Sequence, residues 1–110
     1  MPSYSRLDIV LVSYPFSDLT GVKVRPAVVV SANHLSQDIF VIALTSKTGN
    51  LLSGEFILSQ WKASGLNVET AVKRGIYTVK KNLVRKRVGK LVNSDAEKLD
   101  RSIRDWFDLP

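Results

Sequence analysis

The sequence predicts a mainly β domain closed by one C-terminal helix. Short β-branched runs recur before residue 93, at Asp8–Val12, Ala27–Val30, Ile39–Leu44 and Ile76–Val79. Turn-forming residues, among them Asn33, Gly49-Asn50 and Gly65, separate those runs. Only the last stretch has a clear helical period: Ala96, Leu99, Ile103 and Trp106 recur at intervals of 3, 4 and 3.

Taken in order, residues 8–14 read as the first strand and Pro15–Arg25 as a loop whose Gly21 suits a tight turn. Pro26 can open a strand but not sit in its middle, so the second strand is placed at Pro26–Ser31. Residues 33–37 turn the chain. Asp38–Thr45 is nearly continuous in apolar residues and reads as a strand buried on both faces. A turn at Thr48-Gly49-Asn50 leads to a weakly alternating fourth strand at Gly54–Leu58. Ser59–Ser64 reads as a short helix with Ser59 as N-cap and Gly65 as its stop. Thr70–Lys80 supplies one or two strands and Val88–Val92 a short last one. The terminal helix opens with Ser94 and Glu97 at capping-box spacing, and Phe107 and Leu109 extend its apolar face. No repeat, low-complexity stretch or linker divides the chain, so a single domain over 1–110 is expected.

The composition narrows the function classes. No apolar run approaches the roughly 18 residues that a bilayer-spanning helix needs. Met1–Arg6 lacks the apolar core of a secretory signal. There is no cysteine, which removes disulfides and thiolate metal sites and suits a reducing compartment. A cytoplasmic protein without a membrane partner is expected. Net charge is +6, and 8 of the 16 basic residues lie between Lys73 and Lys90 with no acid among them. Such a block is the footprint of a polyanion partner, although a solvated lysine-rich face has the same composition.

Two short strings carry candidate chemistry. Arg25-Pro26 puts a permanent cation at the mouth of a loop, and an arginine fork matches phosphate oxygens. Thr45-Ser46-Lys47 ends the third strand in two hydroxyls and a second cation. Together they read as a site for a phosphodiester. Other candidates have plainer readings. His34, the single histidine, lies in a polar turn and reads as solvated, although an imidazole suits proton transfer near neutral pH. Asp8 is placed to orient Arg25 or to bond local backbone. Tyr14 and Phe16 are candidate base-stacking residues, of which alternation exposes at most one. Trp61 and Trp106 read as packing residues. One histidine, no cysteine and isolated carboxylates disfavour a metal site, and no cofactor is expected.

These strings resemble the MazF/PemK family of toxins. The resemblance rests on Asp8-Ile9-Val10-Leu11-Val12, Pro15-Phe16-Ser17-Asp18, Arg25-Pro26-Ala27-Val28-Val29-Val30-Ser31 and Leu44-Thr45-Ser46, in that order. Leu58–Leu66, Ile76-Tyr77-Thr78-Val79, Gly89-Lys90-Leu91 and the terminal helix extend it over nearly the whole chain. It implies a small SH3-like barrel and a homodimer. It further implies a metal-independent, sequence-specific endoribonuclease that cuts single-stranded RNA, including mRNA, and a cognate antitoxin that blocks the RNA groove. It maps the catalytic arginine onto Arg25 and the catalytic hydroxyl onto Thr45. Expected RNA contacts are Phe16, Ser17 and Asp18 in the first loop, Ser46 and Lys47 after the third strand, and Lys73, Arg74 and Thr78. The chain departs from the family pattern at Leu7, where a glycine usually precedes the aspartate. It departs again at Val24, often a basic residue, and at Asn67-Val68-Glu69, which lacks a frequent proline. These departures bear on substrate preference rather than on reaction type.

The chemistry is consistent with that expectation. RNA carries its own nucleophile, the 2′-OH, beside the phosphorus, so an enzyme need only align it, move protons and stabilise the added charge. Two other classes share parts of the pattern: a non-catalytic small-barrel binder and a CcdB-like gyrase poison. Neither needs Arg25 and Thr45 together.

Overall fold

The computed structural model describes residues 3–15 and 22–110. Five strands form one antiparallel sheet: β1 (Asp8–Pro15), β2 (Val22–Val29), β3 (Asp38–Thr45), β4 (Ala71–Lys80) and β5 (Val84–Lys90). Their order is β4-β3-β2-β1-β5, so β4 and β5 are the two edges. A single 3₁₀ turn, Lys81–Leu83, separates the edge strands in sequence, and the helix α1 (Asn93–Trp106) follows β5.

Alternation along the strands gives the sheet two apolar faces. On one, Ile9, Val28, Ile42, Leu44 and Val72 pack with Leu58, Leu91 and with Leu99 of α1. Ala96, Ile103 and Trp106 of the helix join the same cluster, so the sequence period marks the buried stripe. On the other face, Val10, Val12, Ala27, Val29, Ile39, Val41 and Val79 form a second core, against which Tyr4, Leu83 and Val84 pack. A central strand buried from both sides needs no polar alternation, which is why β3 reads as an unbroken apolar run. Phe40 is the exception and is half exposed.

Several boundaries differ from the sequence reading. β2 begins at Val22 and carries Pro26 inside it, because the β2–β3 ladder starts only at Ala27↔Ala43. Proline therefore sits beyond the last rung, where no N–H is needed. Gly54–Leu58 forms no strand and contributes only the bridge Ile57↔Ala71. The last strand starts at Val84, not Val88. Ser59–Ser64 is a run of turns rather than a helix. It ends as predicted, however, in a Schellman-type stop: Leu66 N–H donates to Trp61 O (3.0 Å), Gly65 N–H to Lys62 O (3.1 Å), and Gly65 has φ +95°.

The caps differ too. Val92 occupies the N-cap of α1 without a side-chain hydrogen bond, so the Ser94–Glu97 box does not form. Ser59 is not an acceptor cap. Its N–H and hydroxyl both donate to Asp95 Oδ1 at 2.9 Å, and Gln60 N–H donates to Asp95 Oδ2 at 3.2 Å. One fully buried carboxylate of α1 thus caps the 59–65 turn from outside. Phe107 and Leu109 lie beyond the helix and are exposed.

Candidate functional site

Arg25, inside β2, and Thr45 come together at the end of β3, where β2 runs on past its last β3 rung. From the paired residues Ala27↔Ala43, each lies two residues further along its own strand. Both line a cavity of about 270 Å³ with Ser46. Its floor is apolar sheet: Leu11, the Pro26 paired with it, and Leu44. Its roof is the segment after the 59–65 turn, with Leu66, Asn67 and Val68, and Val88 of β5 closes one side.

Backbone contact sets the height of that roof. A Cβ on Gly65 would collide with the carbonyl oxygen of Val88, and one on Gly89 with that of Ser64. The turn and β5 can approach this closely only as glycines, and Gly65 also needs its left-handed φ. Leu66 then packs onto the helix-side core, and Thr70 Oγ1 donates to Val68 O at 2.8 Å.

Thr45 is half-buried, and its hydroxyl is oriented. Lys47 N–H donates to Thr45 Oγ1 at 3.0 Å, the local turn that threonine favours. With its oxygen accepting that bond, the hydroxyl hydrogen remains able to donate. Arg25 is exposed at the same opening. Ser46 and Lys47 are exposed beside it.

The other predicted contacts are scattered. Phe16, Ser17 and Asp18 lie outside the described residues. Thr78 pairs with Phe40, towards the far end of β3 from Thr45. Lys73 and Arg74 lie in a bulge of edge strand β4. Ile42 pairs with Ile76 and Leu44 with Val72, which leaves Lys73, Arg74 and Gly75 opposite Ala43. Arg74 lies beside Trp106 and Phe107 rather than at the Arg25 opening. Glu55, whose side chain is 1% exposed, stitches this bulge to the preceding loop. It accepts from Leu52 N–H (2.7 Å) and Arg74 N–H (2.8 Å), with Lys73 Nζ at 3.4 Å. Burial alone would raise the carboxyl's pKa, but the two N–H donors and the Lys73 ammonium outweigh it and hold it below the usual value.

The basic block is likewise divided. Lys73, Arg74 and Lys80 stand on β4, whereas Arg85, Lys86, Arg87 and Lys90 stand on β5 at the opposite edge. Asp8 pairs with Arg87 Nε at 3.1 Å and accepts from Ser5 N–H at 2.8 Å, so it closes a local turn rather than orienting Arg25. His34 lines a separate cavity with Ser31 and Phe40, and its Nδ1 accepts from Ser36 N–H at 3.0 Å. Trp106 Nε1 donates to Ser53 O at 3.0 Å and Trp61 packs on the core, as packing residues do. Among the described residues, no three His, Asp or Glu side chains gather into a metal-ligand set. No helix of the described residues is long and apolar enough to cross a membrane.

Comparison with known proteins decides the family. The model of the PemK-like, MazF-like toxins of type II toxin–antitoxin systems matches residues 5–107. This chain belongs to that family. Curated protein sequences give no match. Among solved structures, the Mycobacterium tuberculosis toxin MazF-mt6 is similar at 20% identity and TM-score 0.76, covering 94% of this chain and 98% of its own. An endoribonuclease in complex with its cognate antitoxin, from a mycobacterial species, is similar at 18% identity and TM-score 0.77, over 97% of both chains. The five-stranded sheet with its terminal helix is therefore the MazF-type fold, as the sequence predicts.

One departure from the MazF/PemK pattern has a structural signature. Leu7, at the usual glycine position, adopts φ +79°. Its N–H donates to Val29 O at 2.7 Å and its carbonyl accepts from Leu91 N–H at 2.9 Å, so the backbone is fixed from both sides. The leucine side chain packs against the helix-side core, which offsets the cost of the left-handed conformation. Sequence reasoning did not find Asn67 as a lining residue of the Arg25–Thr45 cavity. Its nearest signal was the Gly65-Leu66 pair just before it.

Proposed function

We propose that this chain is the RNA-cleaving toxin of its module, a sequence-specific endoribonuclease that uses the substrate's own 2′-OH. The observation that carries this reading is the placement of Arg25 and an oriented Thr45 hydroxyl on one cavity. The guanidinium binds non-bridging oxygens of the scissile phosphate and stabilises the charge that builds on phosphorus. Thr45 donates a hydrogen bond to a phosphate oxygen and fixes its orientation for in-line attack. Ser46 and Lys47 extend the anion site beyond the end of β3. The 2′-OH loses its proton as it attacks phosphorus, the 5′-oxygen leaves and takes up a proton as a 5′-OH, and a 2′,3′-cyclic phosphate remains, which water can open to a 3′-phosphate. No step in this route calls for a metal ion. Family membership and the mycobacterial relative described as an endoribonuclease support the same reaction class.

The same reading supplies the partners. A net charge of +6 suits single-stranded RNA, including mRNA, in the cytoplasm. An antitoxin with an acidic tail and a few apolar anchors folds over the opening and excludes RNA. Exposed Val24, on the same strand as Arg25, and Ile76 and Tyr77 on edge strand β4 give apolar surface for that partner and for a second copy of the toxin. Purified protein incubated with a long RNA in EDTA tests the reading. Discrete cuts with 5′-OH ends are expected. An absolute need for magnesium, or 5′-phosphate ends, would contradict it.

A further inference from the structure

The Arg25–Thr45 cavity has more apolar wall than a phosphate needs. Phosphate oxygens call for donors, and Arg25, Thr45 and Ser46 supply them. The rest of the lining is largely apolar, with Leu11, Leu44, Leu66, Val68 and Val88. An apolar lining suits the face of a flat ring. The cavity's volume of about 270 Å³ lies just under the usual range for small-molecule sites, roughly 300–1,000 Å³, and so suits one ring system rather than several.

A nucleobase held by its face still needs a partner for its polar edge. Thr70 Oγ1 is engaged with Val68 O and its residue is buried. Thr45 Oγ1 is engaged with Lys47 N–H and belongs to the phosphate side. Asn67 is exposed on the roof, and among the described residues its amide makes no hydrogen bond. A carboxamide presents an acceptor and donors side by side, which is the pattern that pairs with a base edge through two bonds. The roof backbone on which it stands is fixed by the Gly65 stop, the Gly65–Val88 contact and the Thr70–Val68 bond.

Resting on the ribonuclease reading above, we infer that the apolar part of this cavity is a slot for the nucleobase adjacent to the scissile phosphate and that Asn67 reads the base's edge. The residue that sets cleavage preference next to the cut is then supplied by the roof, not by the basic strands. The slot supplies shape and stacking, and Asn67 supplies the choice among bases.

The test compares cleavage profiles of wild type, Asn67→Ala and Asn67→Asp on an RNA pool randomised around the cut. Asn67→Ala should relax preference at one position beside the cut by about tenfold or more, the scale of a lost bidentate pair. Preference elsewhere should stay unchanged. Asn67→Asp, which keeps the acceptors and loses the donors, should shift preference at that same position. A profile unchanged at every position, with only a lower overall rate, would assign Asn67 a structural role and overturn the inference. Binding of uncleavable 2′-deoxy oligonucleotides differing at that base gives a readout independent of the reaction. If wild type cleaves nothing yet discriminates bases in an Asn67-dependent way, the ribonuclease reading fails and the base slot stands. If binding shows no discrimination that Asn67→Ala removes, the slot fails.

Discussion

The two ends of strand β3 make an instructive contrast. At the Thr45 end, a cavity of about 270 Å³ brings together a guanidinium, an oriented hydroxyl and a roof fixed by backbone contact. At the Asp38 end, about 24 Å away along the strand, a larger cavity of about 480 Å³ holds the only histidine and a half-exposed phenylalanine. Size and a titratable ring favour the second end as a catalytic candidate. Charge placement and preorganisation favour the first. For phosphoryl chemistry on RNA, a cation and a hydroxyl donor at the reacting group outweigh room and an imidazole, because the nucleophile comes with the substrate.

The contrast breaks most directly by mutation at both ends. Arg25→Ala and Thr45→Ala should each lower the RNA cleavage rate about 10²-fold or more while the protein stays folded, the scale of a lost preorganised donor. His34→Ala should change the rate by much less. Single-turnover kinetics with circular dichroism checks this. A dead His34 variant beside an active Arg25 variant would move the catalytic site to the other end.

Gly65→Ala tests whether the roof distinguishes the ends. The added methyl meets the Val88 carbonyl and the left-handed φ penalises any side chain. A loss of about 2 kcal/mol or more is expected. In the molecules that remain folded, cleavage should weaken because the roof is displaced. Thermal unfolding with activity per folded molecule reads both effects. Gly49→Ala, with open space around its Cβ, is the control.

Glu55 sharpens the comparison by lying at neither end. Glu55→Gln should cost about 2 kcal/mol, the scale of hydrogen bonds to a charged acceptor. It should leave the chemistry at Arg25 largely intact. The folded carboxyl has a lowered pKa. Its stabilisation is therefore full above the unfolded value, about 4.3, and is lost as pH falls through the lower folded value. Denaturant melts between pH 7 and 3 should show this loss in wild type and a shallower one in Glu55→Gln. An equal pH slope in both would contradict the assignment.

The smallest expected effect concerns Leu7. Leu7→Ala keeps the left-handed strain and loses packing, whereas Leu7→Gly loses packing and relieves the strain. The glycine variant should be the more stable of the two by about 1 kcal/mol. Equal unfolding midpoints would show that φ +79° stores no strain.

The sequence was most legible where one physical signal dominated. The spacing of Ala96, Leu99, Ile103 and Trp106 placed the buried stripe of α1, and the apolar run of β3 placed its bounds. Pro26 misled the start of β2 because its position past the last β2–β3 rung depends on pairing that no local signal carries. Residues 54–58 alternate weakly but make only one bridge, since β4 already occupies the edge. The basic block read as one patch, yet the sheet order sends its two halves to opposite edges. At the site, Arg25 and Thr45 were legible as candidate chemistry, although Arg25 lies inside β2 and not at the mouth of a loop. Asn67 was not, because its relevance comes from two glycines, far apart in sequence, that let the turn rest on β5.

The measurement that goes most directly to the chemistry uses one RNA containing the preferred cut site and a twin with a single 2′-deoxy nucleotide on its 5′ side. With EDTA present, the RNA should be cut to a 2′,3′-cyclic phosphate or 3′-phosphate and a 5′-OH, and the twin should remain whole. Cleavage of the twin at a comparable rate would show that the nucleophile is not the substrate's own hydroxyl, and Arg25 and Thr45 would then serve a different reaction.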